Sequence, residues 1–296
     1  MDLEKFNLWK EISSEKRVKL MIDPAMIINW ISYFILYSFL GWAVEVFHAY
    51  YKRKIWVNRG FLKIPFCPVY GFGGLLVNGV LLRLQDSYLG LFLSAVIIIT
   101  LLEYGTGFLL EKFFGAKWWN YEEEKWNLKG YICPKYSLLF SLLTVVTVKI
   151  IHPIISEGVQ RVDLFYRQSF VWFFSALILL DFFRTIGEIN DFYQYLRELQ
   201  RRIEDFSTVR LKERLLKEKQ ETMSKMENQM DEIENLLAEI RDRTAELKAE
   251  YEVLLREGTR KYGRLLRAFP KFKPLKFQKS FQRLKERFKG LKKPLD

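Results

Sequence analysis

Cysteine and histidine are nearly missing from this chain of 296 residues, with two of each. Cys67 and Cys133 exclude a disulfide scaffold, and no CxxC or Cys/His cluster offers the donors of a zinc site. Catalytic signatures are missing as well. There is no GxSxG elbow, no HExxH helix and no GxxxxGK[ST] phosphate loop, so the chain lacks the parts of a P-loop ATPase. It therefore reads as a non-enzyme with no cofactor and no metal. The first apolar run follows a mixed-charge stretch and has no small-residue cleavage site, which does not fit a signal peptide.

What is present is distributed unevenly. All eight tryptophans precede residue 188, whereas 27 Lys/Arg and 20 Asp/Glu lie from Glu188 onward. One part prefers hydrocarbon and the other water, which excludes a single globular domain. The formal charge of +12 is more local still: residues 260–296 hold 14 basic residues against Glu286 and Asp296. Four regions follow: a mixed-charge segment 1–25, a transmembrane domain 26–187, a coiled coil 188–257 and a basic tail 258–296.

A bilayer core of ~30 Å needs about 20 apolar residues per helix. Five segments approach this: Met26–Ala49, Cys67–Leu84, Tyr88–Leu110, Tyr136–Ile155 and Phe165–Ile186. The second is glycine-rich, and its length alone leaves spanning and re-entrant paths open. A tandem repeat favours spanning. Gly41-Trp42-Ala43-Val44-Glu45 and Gly107-Phe108-Leu109-Leu110-Glu111 both read Gly-aromatic-x-x-Glu, and lie 66 residues apart. Cys67-Pro68-Val69-Tyr70 and Cys133-Pro134-Lys135-Tyr136 both read Cys-Pro-x-Tyr at the same offset. Two like-facing hairpins require the second segment to cross, giving about five crossings. Lys and Arg are denser on the side of the two repeat loops and the tail, which predicts a cytoplasmic tail in the plasma (inner) membrane; four crossings with both ends inside is the alternative.

Ionisable side chains in a bilayer cost ~2.5–3.5 kcal/mol each on insertion scales and so mark function or a polar contact. Glu45, Glu103 and Glu111 form the candidate intramembrane polar path. Asp181 and Arg184 read as an interfacial ion pair at i,i+3, and His152 as a helix-end residue at headgroup level. Cys67 and Cys133 read as small buried side chains at helix starts. Trp118-Trp119-Asn120-Tyr121 fits an interfacial aromatic belt.

These residues carry a resemblance. Gly60-Phe61-Leu62 leading to Pro65-Phe66-Cys67-Pro68-Val69-Tyr70-Gly71-Phe72-Gly73, then Glu103-Tyr104-Gly105-Thr106-Gly107, Lys117-Trp118-Trp119-Asn120-Tyr121, Asn127 to Cys133, and His152-Pro153 resemble bacterial ABC-transporter permeases of the CmpB type (type IV). The likeness covers about residues 30–190. Asn120, where Asp looks more usual, and Pro134 depart from it. The resemblance implies a multi-pass bacterial plasma-membrane protein, transport-related; a separate ATP-hydrolysing subunit is a candidate partner.

Beyond the membrane, Ile189, Phe192, Leu196, Leu199, Ile203 and Phe206 alternate steps of 3 and 4, as does a series from Met223 through Met226, Ile233, Leu237, Ile240 and Leu247 to Leu254. That period is a coiled-coil seam, with a hinge expected across 206–220 where the phase slips. Self-association into a homo-oligomer is the expected way to cover it. Phe277, Phe281, Leu284, Phe288 and Leu291 then form an apolar stripe with Arg283, Lys285 and Lys289 beside it, and Ser280 is placed to cap the helix. Such a helix lies on anionic lipid headgroups, a partner favoured over nucleic acid. The fold expected is all-α. The function expected is transport-related with unknown substrate; the alternative is a non-transporting scaffold or signalling protein that recruits through its coil.

Overall fold

The computed structural model describes residues 24–223 and 230–290, with side chains outside 221–232. The segment before Pro24, Met226 and Leu291 lie outside the described residues. The protein is all-α, in the order α1 (Pro24–Arg53), α2 (Pro68–Gly79), a 3₁₀ turn Leu81–Leu84, α3 (Tyr88–Phe114), a short strand β1 (Ala116–Lys117), α4 (Pro134–Val146), a π turn Thr147–Ile151, α5 (His152–Arg161), α6 (Leu164–Met223), α7 (Met230–Lys261), α8 (Gly263–Ala268), β2 (Lys273–Pro274) and α9 (Gln278–Gly290). It divides into two compact units, Met1–Phe108 with Tyr121–Thr185 and Leu109–Asn120 with Ile186–Asp296.

The first unit turns the usual rule of burial inside out. Leu89, Ile97, Leu101, Phe165 and Trp172 are each more than 60% exposed, while Ser38, Ser141, Thr144 and His152 are buried. Exposed apolar surface on that scale is stable only in hydrocarbon, where helices close their own backbone hydrogen bonds. Among the described residues four helices are long and apolar enough to cross a bilayer: α1, α3, the rod Pro134–Arg161 and α6. This is a membrane protein.

Five equal spans are not what forms. The segment 67–84 becomes α2, 12 residues and so about 18 Å, followed by the 3₁₀ turn. Glycines explain both its brevity and its fit. Gly71 faces Phe34 and Ser38, Gly74 faces Tyr37, Gly79 faces Trp30, and Gly41 on α1 faces Tyr70. The bare glycine faces let α1 and α2 pack backbone to backbone, antiparallel. Val77 and Leu81 then meet Leu91 and Ala95 of α3, so the chain reverses again and α3 runs the same way as α1.

Cys67 and Cys133 are the N-caps of α2 and α4, extended, each with proline in the first turn of the helix that follows. Proline suits that place because its missing N–H has no intrahelical acceptor there. Both thiols are free and buried. Pro153 presents the opposite problem, a proline inside a spanning rod. Its ring excludes the ordinary bond to the carbonyl of residue 149, and the π turn over Thr147–Ile151 widens the helix just there.

In the second unit the 3.5-residue stripe finds its cover in the chain itself. Ile189, Phe192, Leu196 and Leu199 on α6, and Ile233, Leu237 and Leu247 on α7, are all buried. The Tyr195 hydroxyl donates to Leu254 O at 2.9 Å, Arg202 pairs with Glu250, and Lys261 lies 3.8 Å from Asp191, so α7 returns antiparallel along α6. The hinge expected across 206–220 is absent. Half-buried Phe206, Val209, Glu213, Leu216 and Gln220 carry the slipped phase forward within one unbroken 60-residue helix. A shift of seam is absorbed by winding, without a break.

Candidate functional site

Glu45 stands one turn past Gly41 on α1. Its carboxylate accepts from the Tyr70 hydroxyl at 2.9 Å and pairs with Arg59 at 2.9 Å. Gly41 provides the space for the same Tyr70 ring. The recurring Gly and Glu of one motif and the Tyr of the other therefore serve one contact: glycine seats the ring and glutamate takes its hydroxyl. Asn58 shapes the loop that delivers Arg59, accepting from Trp42 Nε1 at 3.0 Å and Gly60 N–H at 2.9 Å while donating to Lys63 O at 2.6 Å.

The matching residues 66 positions on are used differently. Tyr136 stacks on Tyr121 with ring centroids 4.7 Å apart. Tyr121 hydrogen-bonds Glu103. The other Glu103 oxygen, Oε2, is buried without a partner. Burial, with Glu103 alongside, holds the Tyr121 hydroxyl above the ordinary phenol range, so it stays protonated and donates. The loop that places Tyr121 is fixed by Asn127, which donates to Glu124 O at 2.9 Å and accepts from Gly130 N–H at 3.1 Å. Tyr121 N–H in turn bonds Gly130 O at 2.9 Å.

Both carboxylate–tyrosine pairs lie in the first unit. Of the three glutamates expected to form a path, Glu45 and Glu103 fall in the first unit. Glu111 belongs to the second unit, where its carboxylate lies 4.0 Å from Lys117. Gly107 is buried in α3. Sequence reasoning missed Arg59 and the Tyr121–Glu103 pair; the shared offset of Glu45 and Tyr70 was the available signal for their contact.

Several expectations need correction. His152, expected at a helix end, is packed inside the bundle: it is 4% exposed, its Nδ1 lies 3.0 Å from the Tyr37 hydroxyl, and the Tyr33 ring meets it edge-on. Asp181 turns away from the expected i,i+3 pairing. It is 6% exposed and accepts from Lys63 N–H at 2.7 Å and Ile64 N–H at 3.3 Å, clamping the loop that carries Arg59. Asp181→Ala removes that shared acceptor and is expected to cost about 1–3 kcal/mol, whereas Asp181→Asn keeps one carbonyl oxygen and costs less. Thermal unfolding in detergent checks the order; equal melting of the two variants would contradict the clamp. Trp118 is core, not belt, packed edge-on against Phe269 and Phe272.

The C-terminal stripe is also spoken for. Phe281 and Leu284 are buried, with Phe281 against Phe192 and Phe272, and Phe277 and Phe288 are half-buried. Ser280 lies inside α9 and its hydroxyl donates to Gln200 Oε1 at 2.7 Å, so it is not the cap. Lys285 donates to Pro270 O at 3.0 Å, and burial, then Lys289, holds its ammonium below the ordinary lysine value. Arg283 and Lys289 are exposed. Among the described residues no group of three His, Cys, Asp or Glu could hold a metal ion.

Long apolar-surfaced helices around half-buried carboxylate–tyrosine pairs define a polytopic helical membrane protein. The chain belongs to the family described as "Putative ABC-transporter type IV", whose sequence profile matches residues 32–186. No curated protein and no solved structure matches it. Membership makes it a transport-related membrane protein.

Proposed function

We propose that the first unit provides a polar route for a hydrophilic solute or ion, with Glu103–Tyr121 and Glu45–Tyr70 as consecutive stations. One observation carries this reading: a bundle whose outer face is apolar holds two carboxylate–tyrosine pairs, one with a buried oxygen, Glu103 Oε2, left without a partner. Glu45 is already neutralised by Arg59 at 2.9 Å and serves as the fixed station. Glu103, with only a phenol, is the one able to take up a proton, a cation or a donor group from a passing solute. The energy would come from a separate ATP-hydrolysing subunit, since this chain has no phosphate loop. The positive residues of the repeat loops and tail favour a bacterial plasma membrane with the tail in the cytoplasm.

Glu103→Gln keeps the size and the acceptor for Tyr121 but removes the charge. In proteoliposomes made with whatever ATPase co-purifies, this variant is expected to insert normally and lose transport. Flux equal to that of the parent protein would remove the route.

A further inference from the structure

The last basic segment has lost its apolar stripe to the protein's own core, yet keeps its charge. Between Arg260 and Gly290 the only acid is Glu286. Lys285 and Arg287 are engaged internally, Arg287 with Glu252 at 3.1 Å. Lys276, Lys279 and Arg283 stand exposed in a row, the last two one helical turn apart on α9, with exposed Leu275 immediately before them. What matters is where this row is tied down. β2 pairs antiparallel with β1, Pro274 opposite Ala116 and Lys273 opposite Lys117, and Leu275 N–H bonds Gly115 O at 2.8 Å. Gly115 is the residue directly after α3, a helix long and apolar enough to cross the bilayer. The start of the basic row is therefore stitched, within one unit, to the residue that follows a helix long and apolar enough to span.

We propose that Lys276, Lys279 and Arg283 bind anionic lipid headgroups of the leaflet at which α3 ends, through charge and without inserting the apolar stripe. Three cations held beside a leaflet feel its negative surface potential, which decays within about one Debye length, ~8–10 Å. Leu275 is the apolar side chain free to touch the headgroup layer. A nucleic acid would meet the same charges, but nothing in the fold brings one to the end of α3, whereas the bilayer is there by construction.

The test uses the full chain in lipid nanodiscs, either neutral phosphatidylcholine or the same lipid with phosphatidylglycerol, carrying an environment-sensitive fluorophore on Leu275→Cys. The fluorophore should report a drier site in the anionic discs, and the difference should vanish in high salt because screening removes it. The triple variant Lys276→Gln, Lys279→Gln, Arg283→Gln should lose roughly a hundredfold of the salt-sensitive binding. Identical fluorescence in both lipids overturns the proposal. So does a dry signal that survives high salt, which would mean apolar insertion, or a response only to added oligonucleotide, which would make this a nucleic-acid surface.

Discussion

Gly74→Ala and Gly41→Ala should each sharply lower the yield and melting temperature of the membrane unit. A Cβ at Gly74 would lie 2.2 Å from Tyr37 Cδ2, and one at Gly41 would lie 2.1 Å from Tyr70 Cγ and 2.3 Å from its Cβ. No carbon pair tolerates that, so a ring or a helix must move. Neither ring moves cheaply, because the Tyr37 hydroxyl is held at His152 and the Tyr70 hydroxyl at Glu45. Overpacking of this kind costs about 1–3 kcal/mol and more where the neighbours are tied. Gly105→Ala is the control, since nothing lies within 4 Å of the added methyl. Thermal unfolding in detergent, followed by tryptophan fluorescence, should rank the two contact glycines far below the control. A Gly74→Ala protein that melts like its parent would show that α1 and α2 do not pack this way.

Phe192→Ala should be the most damaging single change in the second unit. The ring is fully buried and touches the rings of Tyr262, Phe272 and Phe281, at centroid distances of 4.7, 6.2 and 6.3 Å. Truncating a buried phenylalanine costs about 3–5 kcal/mol through lost transfer energy and the cavity left behind. Leu211, 57% exposed on the same helix, provides the comparison and should change little on replacement by alanine. Limited proteolysis of the full chain is the readout. Rapid cleavage within 230–290 is expected for Phe192→Ala, and parental resistance would mean that this ring does not hold the unit together.

Hydropathy made the spanning helices legible, because in lipid the length of an apolar run is itself the physical requirement. The repeat likewise pointed to Glu45 and Tyr70, residues that meet in the fold. Periodicity was less informative in the tail. A stripe such as Ile189, Phe192, Leu196 and Leu199 states that a face must be covered, but not by what. A second copy and the chain's own return helix satisfy the same pattern, and here the latter does so. Trp118 shows the same ambiguity for a single aromatic, whose ring suits a headgroup layer or a packed core equally well. Asp181 was misjudged for a different reason. Helix spacing offers Arg184 as its neighbour, whereas the actual donors, Lys63 and Ile64, are more than a hundred residues away and are brought in by tertiary folding alone.

The pairing of β2 with β1 also sets an order of events during synthesis. Ala116 and Lys117 leave the ribosome about 150 residues before Lys273 and Pro274 exist to bond them, and Phe192 waits through about 90 residues for Phe281. Through that interval the loop after α3 has an open strand edge and α6 an uncovered aromatic, both invitations to wrong partners. A premature stop upstream of the last helix would make this condition permanent, so truncated products of this gene should be cleared as misfolded protein rather than persist as shortened versions of the mature one.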